Sequence, residues 1–475
     1  MKATSRRPVG LLAAAAIYLV VTLAPLFVIL VGPVAPQRGF WVEFAVAMGF
    51  IGLAMLGLQS ILTARFPRVS SAVGQDTLLQ FHRQAGLVAF VFILSHPVIL
   101  VLANGDYWSF LDPRVNLLRA VFLLFVVVAL PTLIVTSLWR EGLRLPYQWW
   151  RLGHGVLAML ILVVGLVHIT RVHYYLRNPW KQALWVAIGT AAIASVLYVR
   201  AIKPLRVRRR PYRVVGVAPA AARIWTVTLA PETEPALRFR AGQFAFVTID
   251  DSPYSLEQHP FTIASSAEHS DCLQFTIKEL GDFTNDIAAI PIGQRAYLDG
   301  PYGSVHLPFE SDSGLFVIAG GIGITPIISM LRTLGDQHSS LPVVLIYANN
   351  RVDDTAFAEE LDALTGLLNL RVIHVLTEPP ASWAEEVGFV TPDLIARHLP
   401  DEPRERWRYV LCGPPPMMEV AEHSLVDLGV PLDRIDSERF NIGAAGAIGR
   451  RSIQVRRLVV VLGAVMVGAA ALFAA

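Results

Sequence analysis

A chain of 475 residues is longer than one ordinary domain, so two or three are expected. It is 54% hydrophobic and only 16% charged, too apolar for an ordinary soluble protein, and its net charge of +3 is too small to point to nucleic acid. Two cysteines, Cys272 and Cys412, are too few for an iron–sulfur cluster on four thiolates and give no disulfide framework; no CxxCH occurs for a thioether-linked haem.

Residues 10–202 are almost continuous apolar runs, whereas 205–442 have the mixed composition of a globular domain. About 20 apolar residues cross about 30 Å of hydrocarbon. Stretches of that kind lie near 10–32, 41–63, 80–103, 117–139, 152–172 and 181–201. The first follows Lys2, Arg6 and Arg7 as a secretory leader does. Its apolar run exceeds the roughly 7–15 residues of a leader, so it is read as a retained span. Arg6, Arg7, Arg65, Arg68, Arg140, Arg144, Arg151 and the basic run from Lys203 to Arg210 fall on one side. The opposite loops are poorer, with Arg38, Arg114, Arg119, Arg171, Arg177 and Lys181. This imbalance predicts a multi-pass cell-membrane protein, bedded in lipid, with its N-terminus and residues 203–442 in the cytoplasm. A last apolar run, Leu458–Ala475, follows Arg450, Arg451, Arg456 and Arg457. It is just long enough to cross and is read as a terminal span, with an interfacial helix as the alternative.

His82 and His96 lie on the third stretch and His154 and His168 on the fifth, 14 residues apart in each case. At about 100° and 1.5 Å per residue, that spacing closes four turns within about 40° and covers about 21 Å, so both members share one helix face. The two helices run the same way. Face to face, they present His82 with His154 near the inner surface and His96 with His168 near the outer one. Each pair supplies both axial ligands of a haem and leaves no open iron position, which favours electron transfer over ligand chemistry. Two b-type haems are expected on these four metal ligands. A histidine in hydrocarbon is expensive, and the plain alternative of hydrogen bonds to neighbouring helices does not explain a repeated spacing. His173 lies past the fifth stretch and reads as interfacial.

Between residues 212 and 308, alternating runs such as RIWTVTLA, QFAFVTID and LQFTIKEL, broken by glycine and proline, predict a small antiparallel barrel. After residue 314 strands and helices alternate: LFVIA, PIISMLRTL, VVLIYA, an acidic helical stretch, RVIHVL. That order predicts an open parallel sheet of the nucleotide-binding kind. Gly320-Gly321-Ile322-Gly323-Ile324-Thr325-Pro326 joins its first strand to a helix. The glycines let amides approach a pyrophosphate and Pro326 suits a first helical turn, although the loop departs from GxGxxG.

His259-Pro260-Phe261-Thr262, IKELGDFT (277–284), GPYG (300–303), GGIGITP (320–326), LCGPPPM (411–417) and ERF (438–440) follow one another in order. With them this half resembles the ferredoxin–NADP reductase superfamily, and specifically the cytoplasmic half of NADPH oxidases and ferric reductases. The membrane half resembles the same family's ferric-reductase-like domain, and the resemblance spans residues 40–442. It implies FAD and NADPH or NADH as cofactors beside the haems. His259, Pro260, Phe261 and Thr262 would line the flavin and its ribityl chain, with Ile277, Lys278 and Thr284 toward the FAD phosphates. Gly320, Gly321, Gly323, Thr325 and Pro326 would hold the nicotinamide cofactor. Cys412, followed by Gly413 and Pro414, would lie near the nicotinamide ring, and Phe440 would cover the flavin until displaced; these two are the candidate catalytic residues. Arg351, just past VVLIYA, favours NADPH if it meets a 2′-phosphate. Otherwise it is a solvated loop arginine.

The expected architecture is a multidomain membrane protein. An all-α six-helix transmembrane bundle (1–203) precedes a β-barrel FAD domain (204–310) and an α/β nucleotide-binding domain (311–442). A basic linker with a C-terminal transmembrane helix follows (443–475). The expected activity is that of a transmembrane oxidoreductase, passing electrons from cytoplasmic NAD(P)H through FAD and two haems to an acceptor outside. Oxygen, giving superoxide, and a ferric chelate are the two candidate acceptors. Superoxide-forming members of the family carry a histidine where Leu100 stands and an arginine on the second span, and none lies between Trp41 and Thr63. Arg171, His173 and Arg177 suit an anionic chelate, or are a solvated membrane edge. The other readings are an electron-donor subunit that reduces a partner protein or quinone, and a non-catalytic haem anchor. The intact HPFT and CGPPPM segments argue against the last.

Overall fold

The computed structural model describes residues 6–32, 35–66, 74–249, 252–303, 305–307, 312–401, 403–437 and 450–475. Phe440 and its ERF segment lie outside the described residues, as do Lys2, Arg68 and most of the linker before the C-terminal helix.

Among the described residues, 7 helices are long and apolar enough to cross a membrane. They begin with α1 (Arg6–Leu30), α2 (Phe40–Leu62), α3 (Gln75–Ala103), α4 (Leu117–Leu138), α5 (Tyr147–Val172) and α6 (Pro179–Leu197). Local chemistry sets the starts. The Asn116 side chain accepts from Arg119 N at 2.9 Å to cap α4, and Pro179 takes the first turn of α6. α5 begins several residues before the expected 152, because Tyr147-Gln148-Trp149-Trp150-Arg151 carries the helix on as an aromatic, basic interfacial turn. Buried Lys181, at the start of α6, donates to Ile29 O of α1 at 2.7 Å, giving a carbonyl of that helix end a cation.

α2 is the most buried helix of the bundle, with Ala45, Ala47 and Ala54 fully covered. Small residues let backbones approach where apolar side chains gain nothing by leaving lipid. At Gly52 an added Cβ would stand 2.7 Å from Ile93 Cγ1 of α3. The C-terminal helix (Arg450–Ala474) joins the same core through Val455, Val459, Leu462, Met466 and Ala470, spaced three and four residues apart. Val460, Val461, Val465 and Leu472 face outward, and Phe473 meets Tyr175 edge-on at 6.2 Å. It packs on the bundle from Val455 to Phe473 and is among the seven helices long and apolar enough to cross a membrane.

The second compact unit comprises mainly Lys203–Arg450. A short helix, α7 (Lys203–Arg208), leads into the strands β1 (Tyr212–Ala221), β2 (Ile224–Pro231), β3 (Phe244–Ile249), β4 (His259–Thr262), β5 (Leu273–Lys278) and β6 (Arg295–Tyr302). They form an antiparallel sheet in the order β4-β3-β6-β1-β2-β5. Ile263, one residue past β4, bridges Phe275 on β5 and closes the sheet into a barrel. A single turn, α8 (Asp282–Asn285), follows β5.

A wholly parallel sheet comes next, ordered β10-β9-β8-β7-β11-β12. Its strands are β7 (Gly314–Gly320), β8 (Val343–Asn349), β9 (Leu370–Leu376), β10 (Glu386–Val387), β11 (Trp407–Cys412) and β12 (Ile435–Ser437). The crossover helices are α9 (Thr325–Asp336), α10 (Ala358–Thr365), α11 (Pro392–His398) and α12 (Pro415–Asp427). β7 is buried on both faces: Leu315, Val317 and Ala319 enter one core, Phe316 and Ile318 the other. α9 fastens barrel to sheet. Ser329 Oγ donates to Ser265 O at 2.8 Å, Arg332 Nη1 to Ala264 O at 2.9 Å, and Ala267 N to Thr333 Oγ1 at 2.9 Å.

Candidate functional site

The four histidines of α3 and α5 meet in the expected twos. The ring centroids of His82 and His154 stand 6.3 Å apart, and those of His96 and His168 6.4 Å apart. A metal–imidazole nitrogen bond is about 2.0 Å, so rings gripping one ion from opposite sides stand about 6 Å apart. Among the described residues no three His, Cys, Asp or Glu converge as a metal site. Two imidazoles per site match an iron whose other positions a porphyrin fills.

Neighbouring helices aim these rings. His96 Nδ1 lies 2.9 Å from Ala45 O; a carbonyl can only accept, so Nδ1 carries the proton and Nε2 is left with its lone pair. Ser137 donates to Leu133 O at 2.6 Å, so its oxygen accepts from His154 Nδ1 at 3.1 Å and frees Nε2 in the same way. The Gln59 carboxamide lies 2.6 Å from His82 Nδ1, and the way that amide is turned decides which ring nitrogen is protonated. Gly49 makes room for the outer pair: an added Cβ would stand 2.9 Å from His96 Nδ1.

Each pair also has a buried donor to spare. The Trp150 ring lies 5.3 Å from that of His154, and its buried Nε1 finds no partner among the described residues. Near the outer pair, Arg119 stacks on Phe110 at 4.3 Å and leaves its own buried Nε without one. One donor left over at each level would suit one carboxylate of a haem there.

A cavity of about 200 Å³ adjoins His96 and His168, walled by Phe50, Leu100, Tyr107 and Phe110, with Arg38 among its lining. Arg38 lies just before the second span, not on it. Arg38 Nη2 donates to Tyr175 Oη at 2.9 Å, Arg38 Nε pairs with Glu43 at 3.3 Å, and Tyr175 donates to the buried Glu43 carboxylate. Burial, reinforced by that bond, pushes the Tyr175 hydroxyl well above the ordinary phenol range. Arg171, His173 and Arg177 are exposed and flank lining residues Val172, Tyr174 and Leu176; His173 ends α5 in a left-handed turn.

In the barrel, His259-Pro260-Phe261-Thr262 is β4 itself, with His259 stacked on Phe283 at 4.2 Å and Thr262 buried. Ile277 is buried and Lys278 half-buried at the end of β5. The Thr284 hydroxyl accepts from Leu280 N at 2.8 Å and Gly281 N at 2.9 Å, so it holds the loop that follows Lys278. In the sheet domain, Gly320 ends β7, Gly321 turns with φ +52° into open space, and Thr325 and Pro326 begin α9. The loop lies against the end of β11. A Cβ on Gly323 would stand 2.3 Å from Cys412 O, and one on Gly413 2.9 Å from Gly320 N. Cys412 is buried and Pro414 caps α12. Two glycine turns in backbone contact beside a helix N-terminus form a cradle for a pyrophosphate. Arg351, the candidate for a 2′-phosphate, lies past β8 and is paired with Glu378 at 2.7 Å.

Sequence reasoning missed Gly49, Gln59, Ser137, Trp150 and the Arg38–Glu43–Tyr175 network. Gln59 and Glu43 carried a signal, as polar groups inside an apolar stretch. Gly49 and Ser137 carried none.

Fold and site define a membrane oxidoreductase whose helical bundle is joined to a reductase module for FAD and a nicotinamide dinucleotide. Residues 48–165 match the ferric reductase like transmembrane component, 226–306 the FAD-binding domain, and 317–423 the oxidoreductase NAD-binding domain. The chain belongs to the ferric-reductase-like family, its transmembrane component fused to a ferredoxin–NADP reductase-like module. NADH-cytochrome b5 reductase 1 of Candida albicans (strain SC5314) is 31% identical over 219 residues, which are 44% of this chain and 74% of that protein. The protein of the same name from Laccaria bicolor is 31% identical, over 46% of this chain and 73% of its own length. Among solved structures, the ferredoxin reductase in carbazole 1,9a-dioxygenase is 25% identical, covering 49% of this chain and 69% of its own, with a TM-score of 0.43.

Proposed function

We propose that the chain carries electrons across a membrane, from NAD(P)H on the cytoplasmic side to an acceptor on the outer side. FAD would sit in the barrel and a b-type haem between each histidine pair. The observation that carries this reading is the spacing of those pairs, 6.3 and 6.4 Å between ring centroids. When bound, the flavin accepts a two-electron hydride and the haem irons pass single electrons, which is chemistry no side chain here supplies.

The residues bind, aim and exclude water. The glycine turns at Gly320–Gly323 and Gly413 hold the dinucleotide, and Cys412 stands at the edge of that cradle. β4, with His259 and Phe261, would form a wall for the flavin, and Lys278 would serve its phosphates. Because α9 carries the dinucleotide loop at one end and the barrel contacts along its length, the two binding sites are held in one frame. Phe440 would cover the flavin until the nicotinamide displaces it. In the bundle, Ala45, Ser137 and Gln59 fix the imidazoles, and Trp150 and Arg119 would be free to donate to haem carboxylates.

Arg38, held by Glu43 and Tyr175, brings a charged hydrogen-bond donor to the outer cavity, where it would meet the oxygen atoms of an acceptor such as oxygen or a ferric chelate. The Arg38–Glu43–Tyr175 network holds that cation beside the outer pair. The test is to follow superoxide and ferrous iron during turnover of the purified protein by NADH. Formation of either, lost in Arg38→Met with the haems still present, supports an acceptor at the outer cavity. Reduced haem with neither product would favour an electron-donor subunit for a partner protein.

A further inference from the structure

We infer that Glu378, acting on Arg351, makes this chain select NADH over NADPH. The inference rests on the reading of the glycine loop as the dinucleotide site. In an open parallel sheet the adenosine ribose lies beyond the carboxyl end of the strand beside the glycine-loop strand. Here that neighbour is β8, whose Ala348 pairs with Gly320, and Arg351 follows two residues after its last position. From the sequence alone Arg351 is a cation placed to accept a 2′-phosphate. The structure gives it a different setting.

The segment after β9 folds onto the one after β8. Thr377 N donates to Asn349 O at 3.2 Å, and Glu378 N to Asn350 O at 2.8 Å. This fixes the Glu378 carboxylate against the guanidinium: Arg351 Nε and Nη2 both stand 2.7 Å from Oε2. Asp353 and Asp354 follow on the next turn, Val352–Asp354. Arg351 thus bonds one carboxylate and feels the charge of two more, so these four groups together are net negative. The hydrogen bond from Glu378, and then its charge, hold the guanidinium even more firmly protonated than usual.

A 2′-phosphate brings nearly two further negative charges, whereas a 2′-hydroxyl can donate to a carboxylate. The ion pair is exposed, and such pairs are weakly held, so a phosphate is able to pull Arg351 away from Glu378. It cannot remove the carboxylates. Selectivity is a difference between two affinities, and the repulsive element decides it here.

The test uses the full-length protein in detergent with FAD bound. Anaerobic flavin reduction gives kcat/KM for NADH and NADPH, and quenching of tryptophan fluorescence gives Kd for NAD+ and NADP+. Wild type should favour the NAD(H) form in both by about tenfold, the effect of about one charge contact at the protein surface. Glu378→Gln should cut both ratios about tenfold, with Kd for NADP+ falling. Asp353→Asn should shift them the same way by less. Equal use of the two nucleotides by wild type, or a ratio unmoved in Glu378→Gln, overturns the inference. If neither nucleotide binds or reduces the flavin, the dinucleotide-site reading fails and this inference with it.

Discussion

In the helical bundle the candidate site is made of side chains. Four imidazoles project from two helices, and each is aimed by a group from another part of the bundle or left to face its partner across a gap. In the reductase unit the candidate dinucleotide site is made of backbone: at Gly320, Gly323 and Gly413 the space for a Cβ is already filled. The contrast follows from the solvents. A span satisfies its own backbone hydrogen bonds and has only side chains to offer a ligand. A loop at the end of a parallel sheet has free amides and a helix N-terminus to offer. The bundle should therefore fail when side chains are shortened, and the reductase unit when they are lengthened.

The largest effect is expected from shortening in the bundle. His96→Ala should reduce the haem content from two per chain to one, read by pyridine haemochrome assay against protein, and His82→Ala combined with it should leave none. Flavin reduction by NADH should survive both changes, because the bundle has no part in it. If it disappears, the two sites are not separable in this way. Next in size is lengthening in the reductase unit. Gly323→Ala places a Cβ about where Cys412 O lies, an overpacking that costs about 1–3 kcal/mol or displaces the loop. Stopped-flow flavin reduction should collapse while haem content stays at two.

The chain's own pattern made the outline legible. Histidines at equal spacing on apolar stretches, and alternating strands broken by glycine turns, are local signals with a fixed period. The supports of the site were not legible, because they come from residues far away in sequence. Ala45 O reaches His96 across 51 positions, and Glu378 reaches Arg351 across 27. A serine on α4 or a glycine on α2 looks like ordinary span composition until the helices are packed. Arg351 shows how much a charge's neighbours add: its sequence context offers a partner for a 2′-phosphate, and the ion pair with Glu378 appears only in the fold. The start of α5 was missed for a local reason, since interfacial aromatics extend a helix beyond the hydrocarbon that the apolar run measures.

Two smaller effects sharpen the contrast by testing a lengthening inside the bundle and a shortening that spares the ligands. Gly49→Ala pushes a Cβ against His96 Nδ1 and should strain its bond to Ala45 O. The outer haem should change its electron paramagnetic resonance spectrum and midpoint potential, and the inner haem neither. Ser137→Ala removes the acceptor at His154 Nδ1, a loss of about 1 kcal/mol that makes the imidazole a poorer donor. The inner haem should then rise in potential by tens of millivolts in a spectroelectrochemical titration, with both haems retained.

The most direct measurement of the central claim is an anaerobic titration of the purified, FAD-loaded protein with NADH, followed through the haem absorption bands. The account predicts two low-spin haems per chain that are both reduced through the flavin, one of them lost in His96→Ala. A flavin that bleaches with no haem signal would contradict it and leave a flavin reductase joined to a helical bundle that carries no electrons.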